Sequence, residues 1–132
     1  MRAQVSMEYM ILMGFTLLLI GPLLFLYTQH SAEIQDSFSL AQATRAADTL
    51  ASAAERVYFA GPPSQERILI TIPEGVSSFI IAETSIDVLL ANGQQATAYT
   101  QAQMIPTTIR PGQGRQYVLV AATTGGVMIT EV

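Results

Sequence analysis

The chain has 132 residues, half of them hydrophobic and only 12% charged, with a net charge of −4 and a mean hydropathy of +0.38, a balance that points to a membrane segment. It holds no cysteine and no lysine, which excludes a disulfide scaffold and thiol chemistry without settling the compartment. The six arginines, Arg2, Arg45, Arg56, Arg67, Arg110 and Arg115, are scattered and form no basic stripe, which argues against nucleic acid as a partner.

From Tyr9 to Ala32 no residue is charged, and Tyr9 to Tyr27 is dense in apolar side chains. As a helix those ~19 residues reach roughly 28 Å, enough to cross a hydrocarbon core. Tyr9, Tyr27 and His30 stand where amphipathic rings settle at a membrane interface. A cleaved secretory signal would need a longer basic leader and a small-residue site after its apolar core, and Thr28-Gln29-His30-Ser31 is no such site. Arg2 alone precedes the span, so the positive-inside rule puts the amino end in the cytoplasm and the rest outside.

Glu33 to Phe59 holds no glycine or proline, and Ile34, Phe38, Ala41, Leu50, Ala54 and Val57 recur at helical spacings. One long helix is therefore expected over residues 4–60, with a bend at Gly21-Pro22, where the proline has no N–H for the Leu18 carbonyl. Gly61-Pro62-Pro63-Ser64 should stop it sharply. About six short strands follow: RILITIP (67–73), SFIIA (78–82), IDVLLA (86–91), QATAYT (95–100), QYVLVAA (116–122) and VMITEV (127–132). Ile68, Ile70 and Ile72 share one face, and Asn92-Gly93 predicts a tight type I′ hairpin. Pro111-Gly112-Gln113-Gly114 and Gly125-Gly126 mark two further turns. The expected class is α+β, a long N-terminal hydrophobic helix followed by a small antiparallel, sandwich-like β-rich head over 61–132. A head of that size has a marginal core and should lean on the outer half of the helix, where Ala43, Ala46, Ala47, Ala51, Ala53 and Ala54 permit close approach.

Glu8, at the mouth of the apolar run, admits three readings. It complements the positive helix end with Ser6 as N-cap, or it lies among lipid headgroups, or it is functional. In the last case the segment packs beside copies of itself, where a buried carboxylate costs several kcal/mol unless a cation meets it. A free amino terminus made by cutting before Gln4 would supply that cation from a neighbouring copy and set the axial register.

Gln4-Val5-Ser6-Met7-Glu8-Tyr9, running directly into an apolar span, resembles the Q-x-S-x-E-Y signature of archaeal prepilins with a class III signal peptide, relatives of type IV pilins and archaellins. Ala54 to Ser64 followed by ILITIP is similar to the helix-to-strand junction of small proteins of that class. The resemblance implies that a membrane-embedded prepilin peptidase removes residues 1–3 by cutting between Ala3 and Gln4. Gln4, Ser6, Glu8 and Tyr9 would then serve recognition and assembly, with Glu8 at the position where type IV pilins keep a glutamate. It further implies a homo-oligomeric helical filament raised by an assembly ATPase and a membrane platform protein, and use in cell adhesion. The leader Met1-Arg2-Ala3 is shorter and less basic than many in that class.

No catalytic or cofactor constellation is evident. His30 reads as an interfacial residue, Asp36, Asp48 and Asp87 do not form a calcium loop, and Gly112-x-Gly114 is a turn. Asn92 is followed by Gly-Gln and is no glycosylation sequon, and Tyr58, Tyr99 and Tyr117 read as core-packing residues. An enzyme is not expected. The competing readings are a minor, pseudopilin-like subunit and a single-pass anchored binding protein that does not polymerise.

Overall fold

A computed structural model describes residues 2–132, with side chains from Gln4 onward. Helix α1 spans Arg2–Ala60, and seven strands follow: β1 Gln65–Ile72, β2 Val76–Ile81, β3 Ser85–Leu90, β4 Gln95–Tyr99, β5 Thr107–Ile109, β6 Gly114–Thr123 and β7 Gly126–Glu131. The class is α+β, a long apolar helix followed by antiparallel sheets. Two compact units divide the chain, Met1–Asp36 and Ser37–Val132.

In the first unit α1 keeps its helical assignment through Gly21-Pro22. The hydroxyls of this apolar stretch are met by the helix itself, Thr16 Oγ1 donating to Leu12 O at 2.8 Å and Thr28 Oγ1 to Phe25 O at 2.9 Å. That is the arrangement a polar side chain needs where no water can reach it.

The second unit contains the core. Ala43, Ala46, Ala47, Leu50, Ala51, Ala53, Ala54 and Val57 are all buried. At ~100° per residue they cover an arc of roughly 160° of the helix. Leu50, Ala54 and Val57 and the other alanines expected to permit close approach all lie in this arc, whereas Ile34, Phe38 and Ala41, expected on the same face, are exposed. Six of the eight buried residues are alanines, whose methyl groups let strand backbones come close, with Leu50 and Val57 buried among them.

The first sheet has the order β1-β6-β7 and the second β4-β3-β2-β5. β5 is the strand missed by sequence: it is three residues long and pairs only with β2, through Phe79↔Ile109 to Ile81↔Thr107. Alternation decides which side chains enter the core. Ile68, Ile70 and Ile72 from β1 meet Val118 and Val120 from β6 and Val127 and Ile129 from β7, while the second sheet supplies Phe79, Ile81, Ile86, Val88, Leu90, Ala96 and Ala98.

The helix is tied to both sheets. Arg56 donates to Glu66 of β1 through Nε at 3.1 Å and a terminal nitrogen at 2.7 Å. Beyond β4, Glu55 Oε1 accepts from Thr100 Oγ1 at 3.1 Å and from the Gln101 N–H at 3.0 Å. Thr100 Oγ1 in turn accepts from the Ala102 N–H at 3.2 Å, so this buried hydroxyl is satisfied. The loop after β4 also joins the two sheets: Met104 N–H reaches Glu83 O, and Ile105 N–H reaches Val127 O.

Two turns show why the helix ends and where the Asn92-Gly93 prediction fails. Gly61 sits at φ 74° and its N–H still reaches Val57 O at 3.2 Å, closing the last turn in a conformation that suits glycine. Between β3 and β4, Gly93 has φ 85° but among the described residues none other than glycine, and so not Asn92, has positive φ, which means that the hairpin is not type I′. The Gly93 N–H reaches Leu90 O and the Leu90 N–H reaches Gln94 O, which makes a three-residue loop with glycine in the left-handed position. Asn92 serves it with its side chain, Oδ1 accepting from the Gln94 N–H at 3.0 Å.

Candidate functional site

The segment that the sequence singles out is helical throughout. Gln4, Ser6, Glu8 and Tyr9 are all exposed. At ~100° per residue Gln4 and Glu8 share one face, while Ser6 and Tyr9 lie on the other side. Because α1 already begins at Arg2, Ser6 is inside the helix and is not its N-cap, and Glu8 is beyond the first turn. The capping explanation for Glu8 is thereby overturned. The Ala3–Gln4 junction lies within α1, but Met1 and the side chains of Arg2 and Ala3 lie outside the described residues. Among the described side chains no cation comes within ion-pair distance of Glu8; Arg56–Glu66 pairs at 2.7 Å, and His30 Nδ1 lies 3.7 Å from Glu33.

Around Glu8 the helix is apolar on every side and covered on none. Met10 is 75% exposed, Leu18 68% and Phe25 63%, and a Cβ added at Gly14 or Gly21 would meet nothing within 4 Å. The helix is long and apolar enough to cross a membrane by length and composition. Apolar surface of this extent is unstable in water, so this stretch requires either lipid or other protein around it.

The head presents two outer faces, which sequence reasoning did not separate. On the first sheet, Leu69 is paired with Tyr117 across β1 and β6, next to Arg67 and Arg115, and Met128 lies farther along the same face opposite Ala121. The Arg67 guanidinium lies over the Tyr117 ring, 4.2 Å from its centroid. On the second sheet, the cross-strand row Thr97–Asp87–Ile80–Thr108 points outward, and Tyr99 stands opposite Ser85. Tyr99 is 81% exposed and Tyr117 48%, so neither packs in the core, and Tyr58 is only partly covered. Strand parity would have shown this, because Tyr99 alternates with Ala96, Ala98 and Thr100.

Glu55 and Thr100 had no sequence signal, since they are 45 positions apart and meet only through the fold. At the Arg56–Glu66 pair, the hydrogen bond from Arg56 holds the Glu66 carboxyl below its ordinary range, and the same bond raises Arg56. Both groups are at the surface, so the pair orients β1 more than it stabilises it.

No family model matches the chain, and it matches no curated protein and no solved structure.

Proposed function

We propose that this protein is a structural subunit that polymerises through its N-terminal helix, a pilin-like component of a surface filament used for adhesion. Removal of residues 1–3 by a prepilin peptidase would precede assembly by an ATPase and a membrane platform, with the head outside. The observation that carries the reading is Glu8. Among the described residues it is a carboxylate with no cation beside it, on a helix whose apolar side chains are exposed around the whole circumference. Lipid alone would cover the apolar groups and leave Glu8 among the headgroups without a specific partner. Side-by-side packing of copies covers both, provided a new amino terminus at Gln4 neutralises Glu8 of a neighbour. Gly14 and Gly21, with open space over both, are places where a second helix can approach closely.

Intact mass of the protein from cells tests the first step, and the expected species begins at Gln4. Glu8→Gln tests the second. Membrane insertion should persist while filament yield falls by at least about tenfold, the size expected for loss of a desolvated charge pair. A product that retains Met1 to Ala3 and stays dispersed in the bilayer would favour an anchored, non-polymerising protein.

A further inference from the structure

We infer that the two outer faces of the head are the complementary halves of one contact between copies of this chain, the first sheet of one copy seated on the second sheet of the next. This rests on the reading that copies assemble, and it assigns the head a share in that assembly which the helix alone does not provide.

Charge carries the argument. The outward positions of β1, β6 and β7 include Arg67 and Arg115 and no carboxylate. In a chain of net charge −4, a face with only positive groups is the exception, and its natural complement is acidic. The outward positions of β2 to β5 include Asp87 and no arginine, with exposed Glu83 in the adjoining β2–β3 turn.

Each side is also prepared for its counterpart. Arg67 rests over the Tyr117 ring, a contact that lowers the freedom it would lose on binding a carboxylate. Asp87 uses Oδ1 to accept from Thr97 Oγ1 at 2.6 Å, and its second oxygen has no partner among the described residues.

Apolar surface surrounds both charges. Leu69 is 45% exposed and Met128 42% on one side, against Ile80 at 38% and Tyr99 at 81% on the other. Tyrosine, methionine and arginine are the residue types enriched in protein interfaces, where an apolar body is buried and a polar tip is satisfied. Because the two faces are different surfaces, the contact is head-to-tail. It therefore propagates along a row of copies instead of closing a two-fold dimer.

The absence of native cysteine makes the test direct. Two differently tagged full-length chains, one Leu69→Cys and the other Tyr99→Cys, are co-expressed, and membranes and sheared fibres are oxidised. The expected product is a disulfide dimer carrying both tags, in excess over either same-tag dimer. Adding Arg67→Glu and Arg115→Glu to the first chain should lower its yield by about tenfold, and Asp87→Arg in the second chain should restore it. Equal amounts of mixed and same-tag dimers, or a yield indifferent to the charge changes, would overturn the inference. Fibres that form without the mixed dimer would also overturn it while leaving the proposed function standing. A mixed dimer in membranes that never yield fibres would support the inference and remove the filament.

Discussion

The two stretches of α1 on either side of Asp36 have one secondary structure and opposite relations to their surroundings. Residues 4–36 are exposed throughout, and their large side chains, Leu, Ile, Phe and Met, are uncovered. Residues 37–60 bury a stripe in which alanine predominates and leave Phe38 and Phe59 outside. The comparison teaches that helix formation and burial are separate decisions. The first depends on a majority of good helix formers, enough here to carry the helix through Gly21-Pro22, and the second depends on what is available to cover the side chains. Strands of the same unit cover 37–60. Nothing in the described chain covers 4–36, which leaves lipid or other copies.

The largest effect that would sharpen the contrast comes from removing one phenylalanine ring from each region. Phe79 is 2% exposed and Phe15 60%. Phe79→Ala should destabilise the head by about 3–5 kcal/mol in detergent-solubilised full-length protein, and Phe15→Ala should leave the same thermal transition in place. Equal losses would mean that residues 4–36 contribute to the head's core.

Next comes a pair of enlargements within the second stretch. Ala47 is 0% exposed, so Ala47→Leu should lower head stability by about 1–3 kcal/mol through overpacking. Ala41 is exposed, and Ala41→Leu should change it by less than about 0.5 kcal/mol. Denaturant midpoints of the two variants check whether the alanine stripe, and not the helix as a whole, carries the packing.

The smallest effect concerns the Arg56–Glu66 tie. Glu66 has a lowered pKa in the folded protein, so the unfolded chain binds its proton first as pH falls. The stabilisation is complete above the ordinary glutamate value of 4.5 and disappears as pH drops through the lowered folded value. Glu66→Gln should therefore melt slightly lower than the wild type near neutrality and coincide with it in acid. A difference that persists in acid would point to packing instead of charge.

Much of this architecture was legible in the residues. Gly61-Pro62-Pro63 stopped the helix where expected, and the alternation of Ile68, Ile70 and Ile72 placed β1's buried face correctly. Three features were not legible. Ile34, Phe38 and Ala41 left the buried face of α1 while the close-approach alanines took it as expected, Asn92-Gly93 formed a longer loop than its dipeptide suggests, and β5 was too short to show a period. For the candidate site, the exposed helix around Glu8 was foreseen, but Ser6 as its cap was not upheld. The helix extends to Arg2, so the cap position is elsewhere.

What the sequence alone determined was local: an apolar run long enough to cross a bilayer, helical spacing, a glycine-proline stop, and strands that alternate. These depend on neighbours a few positions apart, whose geometry is set by backbone sterics and side-chain period. Only the tertiary structure decided that Phe38 and Ala41 stay outside, that Thr100 meets Glu55, and that Arg67 and Arg115 lie on one outer face and Asp87 on the other. Those outcomes depend on which strands pair and in what register, and residues tens of positions apart acquire neighbours only when the core closes.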